Sequence, residues 1–222
     1  LKEILRGGFP SLCRQGLGSI AGILLNHSAG AYAGIYGDAA IAGMSIVSRV
    51  MLFANSALIG FGQGFQPVCG MNYGAGKYGR VREAYWFCVK GATVFLILVS
   101  LGAFAGAEKI VGLFRKEDPE VIRIGTLALK LQCIVFPFSA WIVMCNMMLQ
   151  SIGKAVRASI VAAARQGLFF IPLICFLPRI FGLLGVQMCQ TISDACSLLL
   201  SIPLGLSVLR EMKNQEKMPE IL

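Results

Sequence analysis

The side chains with most chemical potential are few: Asp194, His27, eight cysteines and a set of amides in apolar surroundings. Asp194 lies deep in an apolar stretch, where an ionisable group is expensive and usually functional. It reads either as a group handling a proton or cation, or as the structural partner of a neighbouring Ser or Arg. Asn26, Gln63 and Asn146 are uncharged donors and acceptors, suited to lining a polar cavity or to joining helices. His27 can titrate near neutral pH, but one histidine supplies no structural zinc site. The cysteines at 13, 69, 88, 133, 145, 175, 189 and 196 show no Cys-x-x-Cys spacing and read as small packing residues. Gly74-Ala75-Gly76-Lys77-Tyr78-Gly79 fits Gly-x-Gly-x-x-Gly, yet apolar helical stretches flank it where a dinucleotide site needs a strand. Met71 and Tyr78 stand where a phosphate-binding P-loop needs Gly and Ser/Thr. An embedded enzyme should show paired carboxylates, a Ser/His set or a metal cluster, and none is evident. The expectation is therefore no enzyme, no cofactor and no resident metal.

The elements that must position these groups are membrane helices. Of 222 residues, 56% are hydrophobic and only 14% charged, against roughly a quarter charged in soluble domains. That balance excludes a disordered chain, a disulfide scaffold and an ordinary cytosolic enzyme. A net charge of +9 could suggest nucleic acid, but in so apolar a chain it reads as cytoplasmic loops and no nucleic-acid partner. Stretches long enough to cross a bilayer fall at 9–36, 39–66, 84–114, 121–150, 159–177 and 183–209, with a short tail at 210–222. With both termini on one side, that side collects Lys2, Arg6, Lys77, Arg80, Arg82, Lys154, Arg157, Arg210, Lys213 and Lys217. The other collects Lys109, Arg115, Lys116, Arg123 and Arg179 with most of the acids, so both ends should be cytoplasmic. A start on Leu1 suggests a piece of something longer.

Gly-x-x-x-Gly pairs at Gly18/Gly22, Gly30/Gly34, Gly60/Gly64 and Gly102/Gly106 are candidates for close helix contact. Pro137 and Pro172 inside the spans, and Pro67 and Pro203 near span ends, invite kinks. Asp38 opens the second span as a candidate N-cap. Gly76–Arg80 and Gly153–Arg157 both read Gly-Lys-x-x-Arg, as a repeated hairpin would.

The run from Gly60 to Arg80, with Gly62, Gln63, Gly64, Gln66-Pro67, Gly70 and Asn72-Tyr73-Gly74, closely resembles the end of a lobe's second helix in multidrug and toxic compound extrusion (MATE) transporters. Pro10, Arg14-Gln15, Leu24-Leu25-Asn26, Asp38-Ala39-Ala40 and Gln150 through Lys154 are similar to the same family. The resemblance implies an all-α integral membrane fold of six helices, the C-terminal lobe of a twelve-helix, two-lobe transporter. It implies secondary antiport of organic, mostly cationic drugs against H+ or Na+ by alternating access, in a bacterial plasma or inner membrane. The implied partners are small organic cations, the lipid bilayer, and an N-terminal lobe of the same protein or a second copy. The family members closest to this pattern place an ion-coupling acid in the first lobe, so the resemblance transfers none to a position here. Two alternatives remain: a flippase or polysaccharide exporter of the wider superfamily, and a half-size homodimeric transporter.

Overall fold

A computed structural model describes the backbone of residues 2–32, 34, 37–115 and 118–217, and the side chains within those bounds from Gln15 to Glu216. The side chains of Pro10, Cys13 and Arg14 lie outside the described residues, as do residues 218–222 of the tail. Helix α1 runs Lys2–Tyr32, α2 Gly37–Gly74, α3 Tyr78–Ala105, α4 Ala107–Phe114 and α5 Pro119–Val135. Then come α6 at Ser139–Ser151, α7 at Ala155–Ala163, α8 at Phe170–Phe181 and α9 at Leu183–Lys217. Five continuous or nearly continuous passes are long and apolar enough to cross a membrane: Gly37–Gly74, Tyr78–Ala105, Pro119–Ser151, Ala155–Phe181 and Leu183–Glu216. With α1 they make a six-helix lobe.

Several passes are interrupted for local reasons. The stretch 84–114 divides at Gly106 into α3 and α4. Pro137 sits in a single 3-10 turn, Phe136–Phe138, that separates α5 from α6. Between α7 and α8 a π-helical turn, Ala164–Leu168, absorbs a break. Pro172 has no N–H to offer the carbonyl of Leu168 four residues earlier, and its ring crowds that position. A wider turn just upstream relieves both problems. Asp38 falls inside the first turn of α2, where its carboxylate complements the helix dipole without capping.

The two Gly-Lys-x-x-Arg stretches are the same structural device. Gly76 and Gly153 carry φ of 71° and 77°, a left-handed backbone that favours glycine. Around each, two backbone bonds close the preceding helix: Gly76 N to Tyr73 O and Lys77 N to Asn72 O, then Gly153 N to Gln150 O and Lys154 N to Leu149 O. Both are Schellman caps, and the lysine that follows opens the next helix. The apparent dinucleotide motif is thus a helix stop.

The tail of α9 is clasped at this end. Lys154 and Arg157 both bind Glu211, the latter at 3.0 Å, and Arg82 binds Glu216 at 2.8 Å. Glu211 lies beyond the apolar stretch that ends at Leu209. The hydrogen bond from Lys154, joined by Arg157, holds its carboxyl below the ordinary carboxylate range. That contribution is complete above the ordinary range and is lost as pH falls through the lowered value. Because Glu211 is partly exposed, Glu211→Gln should cost only about 1 kcal/mol. The drop in the melting midpoint of detergent-solubilised protein should be full at neutral pH and shrink as pH falls below the ordinary carboxylate range.

Buried apolar residues form two clusters. One gathers Leu58, Phe65, Tyr85, Leu96, Met144, Met148 and Met212; the other gathers Met44, Val47, Val111, Leu129, Phe170 and Val186. Along α9 the buried residues between Cys189 of the second cluster and Val208 of the first are, besides Gly205, Ser193, Asp194, Ser197 and Ser201. A polar layer therefore separates two apolar ones.

Candidate functional site

The polar layer is organised by an ion pair. Arg165, on the π-helical turn, donates Nε to Asp194 Oδ1 at 2.7 Å and Nη2 to Oδ2 at 3.2 Å. The two side chains are 16% and 8% exposed, so the bidentate pair is nearly out of solvent contact. Gln190 donates to Asp194 Oδ1 at 2.9 Å, and Arg165 reaches Ser139 Oγ at 3.4 Å. Ser193 Oγ donates to the Arg165 carbonyl at 2.5 Å, tying the π-helical turn to α9. A planar guanidinium matched to both carboxylate oxygens is the strongest form of such a pair. Asp194 is therefore already satisfied, and a cation approaching it meets Arg165 first.

In front of the pair opens a cleft of about 330 Å³. Gln15, Gly18 and Ser19 of α1 line it with Asn55 and Ile59 of α2, Asn146 of α6, and Arg165 and Gln166 of the π-helical turn. Gly18 makes room: a Cβ there would strike the Gln166 side chain, with Cδ at 3.4 Å. Asn55 donates to the Met51 carbonyl at 3.0 Å, while its own Oδ1 is buried with no partner.

The amides singled out in the sequence divide in two. Asn146 is buried and donates to the Ala158 carbonyl at 2.7 Å. Gln150 donates to Asn146 Oδ1 at 2.6 Å, and Gln66 approaches Gln150 Oε1 at 3.5 Å. This relay ties α2, α6 and α7 together at the edge of the cleft. Asn26 and Gln63 are exposed and stand outside the cleft, although by helical spacing they continue the stripes of Ser19 and Ile59. Asn146→Ala should therefore cost about 1–3 kcal/mol by orphaning the Ala158 carbonyl and Gln150. Asn26→Ala should shift stability by less than about 0.5 kcal/mol. Melting of the two solubilised variants side by side checks the contrast.

The remaining motif residues serve geometry. Gly62 is buried under Met147, with Met144 Cε 3.3 Å from where a Cβ would sit; Gly64 and Gly74 have nothing within 4 Å. A Cβ on Gly70 would stand 3.8 Å from the Ser151 carbonyl oxygen. Asn72 donates to the Val68 carbonyl, and Tyr73 stacks edge-on against Tyr78 at 5.4 Å. Gln15 lines the cleft, and Pro67 lies within α2. Sequence reasoning offered a neighbouring Ser or Arg as the structural partner of Asp194 without identifying Arg165. The clasp through Glu211 and Glu216 and the exposed Lys90 of α3 went unremarked.

Comparison with known proteins bears on this arrangement. The MatE family model matches residues 17–176. The multidrug export protein MepA of Staphylococcus aureus is 27% identical over 199 residues, which is 89% of this chain and 43% of that protein. MepA of Staphylococcus haemolyticus is 28% identical over 84% of this chain and 40% of its own. The chain thus spans less than half the length of these relatives. A crystal structure of a MATE protein in complex with MaL6 superposes with a TM-score of 0.88 at 22% identity, over 96% of this chain and 48% of that one. An outward-facing MATE transporter of the MOP superfamily gives 0.85 at 22% identity, over 95% and 47%. The shared fold is one six-helix lobe.

Proposed function

Because the chain belongs to the MatE family, we propose that it forms the C-terminal lobe of a secondary transporter that exports organic, mostly cationic compounds in exchange for H+ or Na+. The observation that carries this reading is the coverage: most of the chain aligns with proteins named for multidrug export, over less than half their length. A second lobe, from the same protein or a second copy, would close the cleft on the side where α1 and α2 line it. The two lobes would rock about a site near the midplane. The cleft offers amides and apolar walls, while Asp194 cancels the charge of Arg165. On this reading the counter-charge for a cationic cargo and the coupling-ion site belong to the other lobe.

The charge balance weighs against a flippase or polysaccharide exporter, whose anionic cargo calls for uncompensated cations. The crowding of Lys and Arg at the ends and at the two capped turns supports cytoplasmic termini in a bacterial cell membrane. The test is accumulation of ethidium, a fluorescent lipophilic cation, in cells expressing the full-length protein. Accumulation should fall below that of empty-vector cells and recover when a protonophore or sodium removal collapses the gradient. Equal accumulation in both cell lines overturns drug export. An immunoblot against the Arg210–Leu222 tail accompanies it: a band near twice 23.8 kDa is expected, and one near 24 kDa favours the homodimer.

A further inference from the structure

We propose that the lipid-facing groove between α2 and α3, at the end where α9 is clasped, seats one phospholipid with an ammonium headgroup, of the phosphatidylethanolamine type. Two adjoining hollows meet at Phe87. One is an apolar groove of about 400 Å³ lined by Leu58, Phe61, Phe87, Gly91 and Phe95. The other is a polar recess of about 750 Å³ formed by Arg82, Glu83, Trp86, Lys90 and Glu216. Gly91 keeps the groove open, since its nearest neighbour across the slot is Phe61 Cζ, 3.8 Å from where a Cβ would stand. Residues 83, 87, 91 and 95 follow one another at four-residue spacing, so recess and groove form one track along α3.

The order of charges along this track selects the headgroup. Lys90 lies eight residues beyond Arg82, about 12 Å further along the helix. It is exposed beside Phe87, and among the described residues no carboxylate pairs with it. An ammonium at such a place requires an anion or must reach back to the interface. The carboxylates lie nearer the helix start: Glu83, and Glu216, whose Oε1 is 2.5 Å from where a Cβ of Gly79 would stand. Arg82 answers Glu216, leaving Glu83 and Lys90 as the open charges, acid outward and base inward. A zwitterionic phospholipid carries the same dipole reversed, with its phosphate inward beside the glycerol and its ammonium outward. Phosphate on Lys90, ammonium on Glu83 and one acyl chain past Phe61, Gly91 and Phe95 satisfy every open group. Trp86, 40% exposed, stands at headgroup level as interfacial tryptophans do. Phosphatidylglycerol would bring its negative charge to the same lysine but leave Glu83 unanswered.

This seat does not depend on transport, and its test is separate. Native mass spectrometry of the full-length protein, titrated with phosphatidylethanolamine or phosphatidylglycerol in micelles, counts lipids retained. Wild type should retain the first phosphatidylethanolamine about fivefold better than phosphatidylglycerol, the equivalent of one charge contact near the surface. Lys90→Gln should reduce that retention about fivefold, and Glu83→Gln should abolish the preference while sparing phosphatidylglycerol. Both residues are exposed, so neither change threatens the fold. Unchanged retention in Lys90→Gln overturns the seat. A wild-type preference for phosphatidylglycerol, or equal retention of the two lipids, overturns the headgroup assignment and with it the proposal.

Discussion

Asp194→Asn should leave the protein largely unfolded or strongly destabilised, by about 3–5 kcal/mol, with loss of transport following from loss of folded protein. The reason lies with Arg165. Its side chain is 16% exposed and makes two bonds to the Asp194 carboxylate, and only Ser139 gives it another described side-chain partner. Removing the negative charge strands a cation between two apolar clusters. A net stability of about 5–15 kcal/mol leaves little room for that. Removing both charges is different, because breaking a buried pair costs more than replacing it with apolar groups of similar volume. The double variant Arg165→Met, Asp194→Leu should therefore melt well above Asp194→Asn, the pattern of strong coupling in a double-mutant cycle. Fluorescence-detected gel filtration after stepwise heating gives the melting midpoints. A carboxylate free to carry the coupling ion would behave otherwise: Asp194→Asn would stay folded, bind drug and lose only its response to the gradient. A stable but uncoupled Asp194→Asn would refute the pairing as the residue's main role.

The sequence marked the cost of Asp194 and the kind of partner that would offset it, a Ser or Arg, but not which one, and the difference is one of range. Apolar stretches and a lone acid within one are local facts, visible in a window of about 20 residues. The partner lies 29 residues away on another pass. Finding it requires the rotation of α9 against a helix whose phase is reset by five π-helical residues, Ala164–Leu168. Pro172 signals that a break is due, but nothing local chooses a π-helical turn over a kink; Ser193, bonding the Arg165 carbonyl, stabilises that choice from α9. The hairpin turns were more legible. Gly-Lys-x-x-Arg appears twice because each turn needs a left-handed glycine and then the start of a helix. Glu211 and Glu216 went unread within the tail, since their partners sit far off in sequence, on α3 and at the start of α7. Lys90 escaped notice for the opposite reason: a single lysine in an apolar run reads as tolerable snorkelling until its neighbours are seen.

Glycine is where spacing misleads most, and substitution should show it with a large effect. Gly185→Ala should cost about 3 kcal/mol or more, whereas Gly102→Ala should cost nothing and could gain up to about 1 kcal/mol from helix propensity. A Cβ on Gly185 would overlap the Leu177 carbonyl oxygen, with Leu177 C at 2.6 Å and Pro178 N at 2.8 Å. Those are backbone atoms in the last turns of α8, against which the start of α9 folds back, so no rotamer change relieves the clash and the hairpin itself must open. Gly102 belongs to a Gly-x-x-x-Gly pair, yet nothing lies within 4 Å of where its Cβ would be, and the same holds for Gly22, Gly34, Gly60 and Gly64. The backbones of α2 and α5 instead meet at Gly43 and Gly125, where a Cβ on Gly43 would stand 3.2 Å from Gly125 N and 3.3 Å from the Val121 carbonyl. Neither Gly43 nor Gly125 has a glycine four residues away. A four-residue interval guarantees a smooth stripe on one helix but says nothing of what faces it. Close approach needs a small residue on both sides of a crossing, and the second side lies far off in sequence. Melting midpoints of Gly185→Ala, Gly43→Val and Gly102→Ala in detergent should fall well below, well below and level with wild type. The reverse order would restore Gly-x-x-x-Gly as the packing signal within this lobe.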